Sequence, residues 1–185
     1  MPESPRRTVF RNARLLDGTG APPRTGVDVV LEGGRIASVG GSVAVGDAEV
    51  IELQGRTLMP GLIDCHVHLT FTGEAQEVER AATIPVPDLA WTAATNARET
   101  LAGGVTTIRD VGARASVAIR LREAIAAGRV PGPRMRAAGA IICMTGAMAG
   151  SSAGRPTGPT TCGARCASSS RPAPTASSSR PPAAG

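Results

Sequence analysis

The sequence predicts an α/β protein built on a parallel sheet, and three observations carry that expectation. Between residues 59 and 143, short apolar runs alternate with helical patterns in the order β-α-β-α-β. Residues 1–58 hold only short strand patterns separated by Gly-rich turns. Two histidines one residue apart, His66 and His68, close the first apolar run of the alternating region. Strands joined through helices at this spacing pair in parallel with right-handed crossovers, which suits either a closed barrel or an open doubly wound sheet. At 185 residues and 42% hydrophobic, the chain is long enough for one domain with a core, or for part of something larger.

The N-terminal strands come first. Thr8 to Leu16, TVFRNARLL, reads as a strand, and a turn-rich stretch from Asp17 to Arg24 leads to a second, GVDVVLEGG, with Val27, Val29, Val30 and Leu31 apolar. Gly33-Gly34 signals a hairpin, after which RIASVG returns with Ile36 and Val39, so these strands are expected to be antiparallel. Ala48 to Leu53 and Arg56 to Asp64 follow as strands, the latter leading into a more buried one. From Asp88, DLAWTAATNARETLAGG puts Leu89, Thr92, Ala93, Ala97 and Leu101 on one helical face, with Asp88 as N-cap and Gly103-Gly104 as the stop. Val105 to Gly112 is then a strand. Ala115 to Val130 is a helix with Val117, Leu121 and Ile125 spaced four apart, and Arg134 to Cys143 is another strand.

Composition excludes several classes. The formal charge is +5, but the basic residues interleave with acids and aromatics make up 2%, so neither a basic face nor a stacking platform for nucleic acid is visible. Every basic residue is Arg, with no Lys anywhere. Cys65, Cys143, Cys162 and Cys166 match no disulfide framework, and the Cys162/Cys166 pair has no second pair or His cluster to complete a zinc site, so free thiols in a reducing compartment are expected. Met1 to Arg14 is charged without an apolar core, and no apolar run approaches membrane-spanning length. A soluble, cytoplasmic protein with no membrane or nucleic-acid partner is therefore expected.

The stretch that carries chemistry is Met59 to Leu69, MPGLIDCHVHL. Side chains alternate along a strand, so His66 and His68 project to one side and Val67 to the other. Two imidazoles at the C-terminal end of a strand can grip one ion, and in a (β/α) barrel that end is where active sites form. Histidine suits zinc and similar divalent metals, which acidify water and polarise a scissile carbonyl. Two ligands alone discriminate little among zinc, iron, manganese and nickel.

The run PGLIDCHVHL, arriving about sixty residues in after a small β-unit, resembles the opening signature of the amidohydrolase superfamily: Pro-Gly, an apolar pair, then D-x-H-x-H. LAGGVTTIRDVG and PGPRMRAAG extend the resemblance to the branch that includes imidazolonepropionase-like and prolidase-like enzymes, over roughly Thr8 to Thr145. The resemblance implies a distorted (β/α)8 barrel, TIM-like, preceded by a small β-sandwich-type unit. It implies one or two divalent metals, zinc foremost, and hydrolysis of an amide or other C–N bond of a small amide or dipeptide-like substrate by metal-activated water. His66 and His68 would be metal ligands. Asp64 is expected to be a structural carboxylate holding backbone or a neighbouring Arg, and Asp110 a loop-capping residue near the site that could otherwise touch substrate.

The sequence also departs from that pattern. The resemblance implies further ligands from later strands, a carboxylated Lys or a Glu, two more His and an Asp base, whereas this chain has no Lys and no third His. Val, Ile and Leu cease after Ile142, leaving a Ser/Pro/Ala/Arg-rich segment that cannot build a core and is expected to be disordered. Back-translated through GC-rich codons and read two bases later, the segment from Gly146 admits an amphipathic helix, a Gly stop and an apolar strand bearing a Lys. The expectation is a frameshifted, truncated copy or a sequencing artefact, inactive by itself, with a β-unit at 1–58, first barrel units at 59–146 and an out-of-frame tail at 147–185. The competing expectation is a non-enzymatic α/β module whose basic, Pro-rich tail serves as an interaction segment.

Overall fold

A computed structural model describes residues 7–75 and 77–141. The chain divides after Pro60 into two compact units. The expectations for Cys143, Cys162, Cys166 and the segment from 147 onward, including the frameshift, concern residues outside the described ones.

The first unit is one five-stranded sheet, not the two packed layers that a sandwich requires. Strand β1 (Arg7–Leu15) is central: β2 (Arg24–Glu32) lies antiparallel on one side and passes the pairing on to β3 (Arg35–Gly40). On its other side β1 pairs in parallel with β4 (Glu49–Glu52) along its first half and with β5 (Thr57–Leu58) along its second. The small core joins Leu15, Val27 and Val29, with Phe10 and Leu58 packed against it. Edge strand β3 gains no such cover, so Ile36 is 68% exposed.

A bulge organises this sheet. Between Phe10 and Ala13 the β1–β2 register slips, and Asn12 takes a positive φ of 54°. Asp28, buried on β2, accepts the Asn12 N–H at 3.0 Å and the Val43 N–H at 3.2 Å, so one carboxylate satisfies the bulge and the chain beyond β3.

In the second unit, β6 (Leu62–Val67), β7 (Val105–Asp110) and β8 (Arg134–Ala137) form a parallel sheet in that order. Helices α1 (Glu77–Thr83) and α2 (Val86–Ala102) cross from β6 to β7; a 3-10 turn at Arg114–Ser116 and α3 (Val117–Ala126) cross from β7 to β8. Leu89, Ala93 and Ala97 of α2, Val117, Ala118 and Leu121 of α3, and Ile108 and Met135 of the sheet share one core. The described residues thus carry the β-α-β-α-β order expected. Among them no helix is long and apolar enough to cross a membrane.

Several element boundaries differ from expectation, each for a local reason. Arg56 to Asp64 is two strands, not one: Met59-Pro60-Gly61 interrupts it, because Pro60 has no N–H to give a ladder. The strand that follows is not buried either. Leu62 is 50% and Ile63 67% exposed, since β6 is the sheet's edge and, within the second unit, nothing described covers either residue. Helix α2 begins two residues before Asp88, with Pro85 at the N-cap position; Asp88 makes no cap hydrogen bond and lies in the first turn, where its charge meets the positive end of the helix dipole. Gly103 and Gly104 do end the helix, Gly104 with φ of 90°. Leu101, in the last turn, remains exposed. Helix α3 stops at Ala126, short of Val130, where Gly128 turns left-handed at φ of 69°, and β8 ends at Ala137, short of Cys143.

Candidate metal centre

Strand β6 delivers both histidines, although not by simple alternation. Asp64 pairs with Ile108 and Val67 with Asp110, so β6 carries one more residue than β7 across the Cys65-His66 step. Within this bulge the Asp64 carboxylate accepts the His66 N–H at 3.0 Å, the backbone-holding part expected of it. The strand ends at Val67, and His68 opens a tight turn closed by the Phe71 N–H on the His68 carbonyl at 3.0 Å. The two imidazoles still meet: their centroids lie 5.6 Å apart with planes at 76°. His66 is exposed and His68 half-buried beside a cavity of about 370 Å³ that Asp64, Val67, Phe71 and Asn96 also line.

His68 is held more firmly than its neighbour. Its Nδ1 lies 2.9 Å from the Gly112 carbonyl, an acceptor only, so Nδ1 carries the proton and, in the neutral ring, Nε2 keeps its lone pair. A backbone acceptor behind a histidine ring is the usual means of fixing the tautomer of a metal ligand. Phe71 stacks on the same ring, centroids 5.0 Å apart and planes at 30°.

Asp110, the last residue of β7, is fully buried and caps the loops at this end of the sheet. One carboxylate oxygen accepts the Leu69 N–H at 3.0 Å and the other the Gly112 N–H at 3.0 Å. Burial pushes its carboxyl above the ordinary range, and the two amide bonds and nearby His68 offset only part of that rise. Asp110 therefore ties the residue after His68 to the residue that holds the His68 ring.

Three further residues bear on the site without having been singled out in the sequence. Asn96 of α2 donates from Nδ2 to the Leu69 and Phe71 carbonyls at 2.8 and 2.7 Å. Glu77 accepts the Thr72 N–H at 2.8 Å and is bridged by Arg80 at 3.1 Å. Arg114 donates to the Ala82 carbonyl at 2.8 Å and to that of Ile84. A signal for Asn96 was present: it lies seven residues after Leu89 and three after Ala93, a polar side chain in the apolar stripe.

For a divalent ion the residues present fit in part. Two imidazoles converge, and the one with a fixed tautomer offers a free Nε2. Among the described residues, no group of three or more His, Cys, Asp or Glu side chains could hold an ion.

A parallel sheet with helical crossovers, ending its first strand in paired histidines beside pinned loops, defines an α/β protein with a candidate site at the C-terminal end of its strands. The chain belongs to the amidohydrolase family, whose model matches residues 57–174. It is 43% identical over 76 residues to the imidazolonepropionase of Acidiphilium cryptum, a match covering 36% of this chain and 18% of that protein. With the dihydroorotase of Bacillus cytotoxicus it shares 35% identity over 77 residues, covering 41% of this chain and 18% of the relative. Its fold is similar to the crystal structure of a Xaa-Pro dipeptidase with bound methionine in the active site: 32% identity and a TM-score of 0.69, over 82% of this chain and 37% of the other. The chain thus spans under a fifth of the length of these curated relatives and just over a third of that structure.

Proposed function

We propose that this chain supplies the first two metal ligands, His66 and His68, of a hydrolase acting on the C–N bond of a small amide or dipeptide-like substrate. In this reading β6, β7 and β8 are the first strands of a (β/α)8 barrel and the unit before Pro60 is its N-terminal β-unit. Family membership supports the hydrolase over the non-enzymatic module. The observation that carries the ligand assignment is the pairing of the imidazoles at 5.6 Å, one of them with its Nδ1 proton committed to the Gly112 carbonyl.

A divalent ion, zinc foremost, when bound lowers the pKa of water and polarises the scissile carbonyl. The residues of this chain would hold and orient. His68 presents Nε2 from a ring fixed on one edge and one face, while His66, on the bulge, presents its ring from a solvent-facing position. Asp110, protonated more readily than an ordinary carboxylate, keeps both loops in register. Asp64 keeps the bulge in shape.

The test is metal content and zinc affinity of the purified full chain, with His66→Ala/His68→Ala alongside. Zinc binding that disappears in the double variant is the expected result. Equal uptake by both proteins, or no uptake by a folded wild-type chain, would overturn the ligand assignment.

A further inference from the structure

We infer that Asn96 is a positioning residue for the His68 imidazole, acting through the turn His68–Phe71 and the ring of Phe71. The inference deepens the proposed function and rests on it for the chemistry that His68 serves.

The turn is the mechanical link. Its closing hydrogen bond joins Phe71 N–H to the His68 carbonyl, which folds residue 71 back over residue 68. Both remaining carbonyls used in the turn, Leu69 and Phe71, lie within 2.8 Å of one atom, Asn96 Nδ2. A primary carboxamide has two N–H groups on that nitrogen, one for each carbonyl. From the opposite side Asp110 takes the Leu69 N–H. The turn is therefore clamped between α2 and β7, with its middle residues Leu69 and Thr70 buried.

What the clamp fixes is the plane of a ring. The Gly112 carbonyl decides which nitrogen of His68 keeps its proton, yet one hydrogen bond leaves the imidazole free to rock about it. Phe71, stacked at 5.0 Å and 30°, closes off that motion, and Phe71 sits where it does because its own carbonyl is held by Asn96. A strut that only joined α2 to the loop would need one hydrogen bond and no aromatic ring on the ligand.

The experiment reads the two imidazoles directly in the metal-free full chain, by long-range proton–nitrogen NMR. The chain has two histidines, so His66→Ala assigns both sets of signals. Asn96→Asp keeps the side chain's shape but turns an oxygen toward the two carbonyls. The expected result is displacement of the His68 ring protons as the Phe71 ring current is lost, with His66 moving less. Phe71→Leu should give the same displacement, and the double variant no more than Phe71→Leu alone. If Asn96→Asp does not fold, as judged by amide dispersion, Asn96→Ser is read by the same criterion. His68 signals at wild-type positions in a folded Asn96 variant, or a double variant equal to the sum of the singles, would overturn the inference.

Zinc titration of the same proteins then separates the two layers. The Asn96 variants should bind zinc about 10- to 100-fold more weakly, as expected for a residue behind a ligand. Displaced His68 signals in a wild-type background that binds no zinc would keep the positioning role and sink the metal-ligand reading. Wild-type zinc binding with unmoved His68 signals would do the reverse.

Discussion

Asp28, Asp110, Asn96 and Arg114 direct their polar atoms at main-chain groups, and in doing so they fix the path of the chain more than any pair of side chains does. Asp28 holds the amides of Asn12 and Val43, and Arg114 the carbonyls of Ala82 and Ile84. Removing one partner of such a bond leaves a desolvated group unsatisfied, at a cost of about 1–3 kcal/mol. Glu77 makes a titratable version of the same contact. Burial alone would raise its carboxyl, but the Thr72 hydroxyl and amide and the Arg80 guanidinium outweigh that, and it lies below its ordinary value of 4.5. A depressed folded pKa means the unfolded chain binds the proton more readily. The stabilisation is thus full above pH 4.5 and lost as pH falls through the folded value. Glu77→Gln should be less stable than wild type at neutral pH and lose less on acidification. Urea denaturation across the acid range checks this, and parallel pH profiles for the two proteins would refute it.

At the level of elements, most of the α/β order was legible because hydrophobic period and glycine punctuation are local properties. The stop of α2 at Gly103-Gly104 and the hairpin at Gly33-Gly34 follow from residues that tolerate the required backbone. What was not legible depends on partners. The run Arg56–Asp64 looks continuous until its two ends are seen to pair with different strands, Thr57–Leu58 with β1 and Leu62–Val67 with β7. Gly61, between them, is where the second unit's sheet admits no side chain, since a Cβ there would overlap Thr106. Gly61→Ala should therefore destabilise the second unit by about 1–3 kcal/mol, the usual cost of overpacking. Thr106→Ala in the same chain should relieve part of it, because it removes the two nearest atoms. Chemical denaturation of the single and double variants gives the comparison, and additive losses would contradict the overlap.

For the whole molecule, the histidine pair was legible because its spacing and its place after an apolar strand are written in consecutive residues. Asp110 was legible in part, as a loop-capping residue expected near the site, but Gly112 and Asn96 were not, because they reach the turn at His68 and Leu69 from 44 and 27 residues away. The second unit also leaves one liability in view. β6 is an edge strand, and among the described residues nothing pairs with its free side, where Leu62 and Ile63 are exposed. The chain by itself should self-associate with rising concentration, and Ile63→Lys should suppress this while leaving the fold intact. Light scattering after size exclusion is the measurement; association undiminished in the variant would move the sticky surface elsewhere.

The clamps at the end of β6 have one more consequence. Asp110 and Asn96 grip the loop between β6 and α1 by its main-chain atoms, as Arg114 grips the end of α1 and Ile84. Apart from Phe71 on the His68 ring and Thr72 on Glu77, the path of that loop is specified independently of its lettering, so its other side chains can be respelled, and new preferences written over the site, without redrawing the loop that displays them.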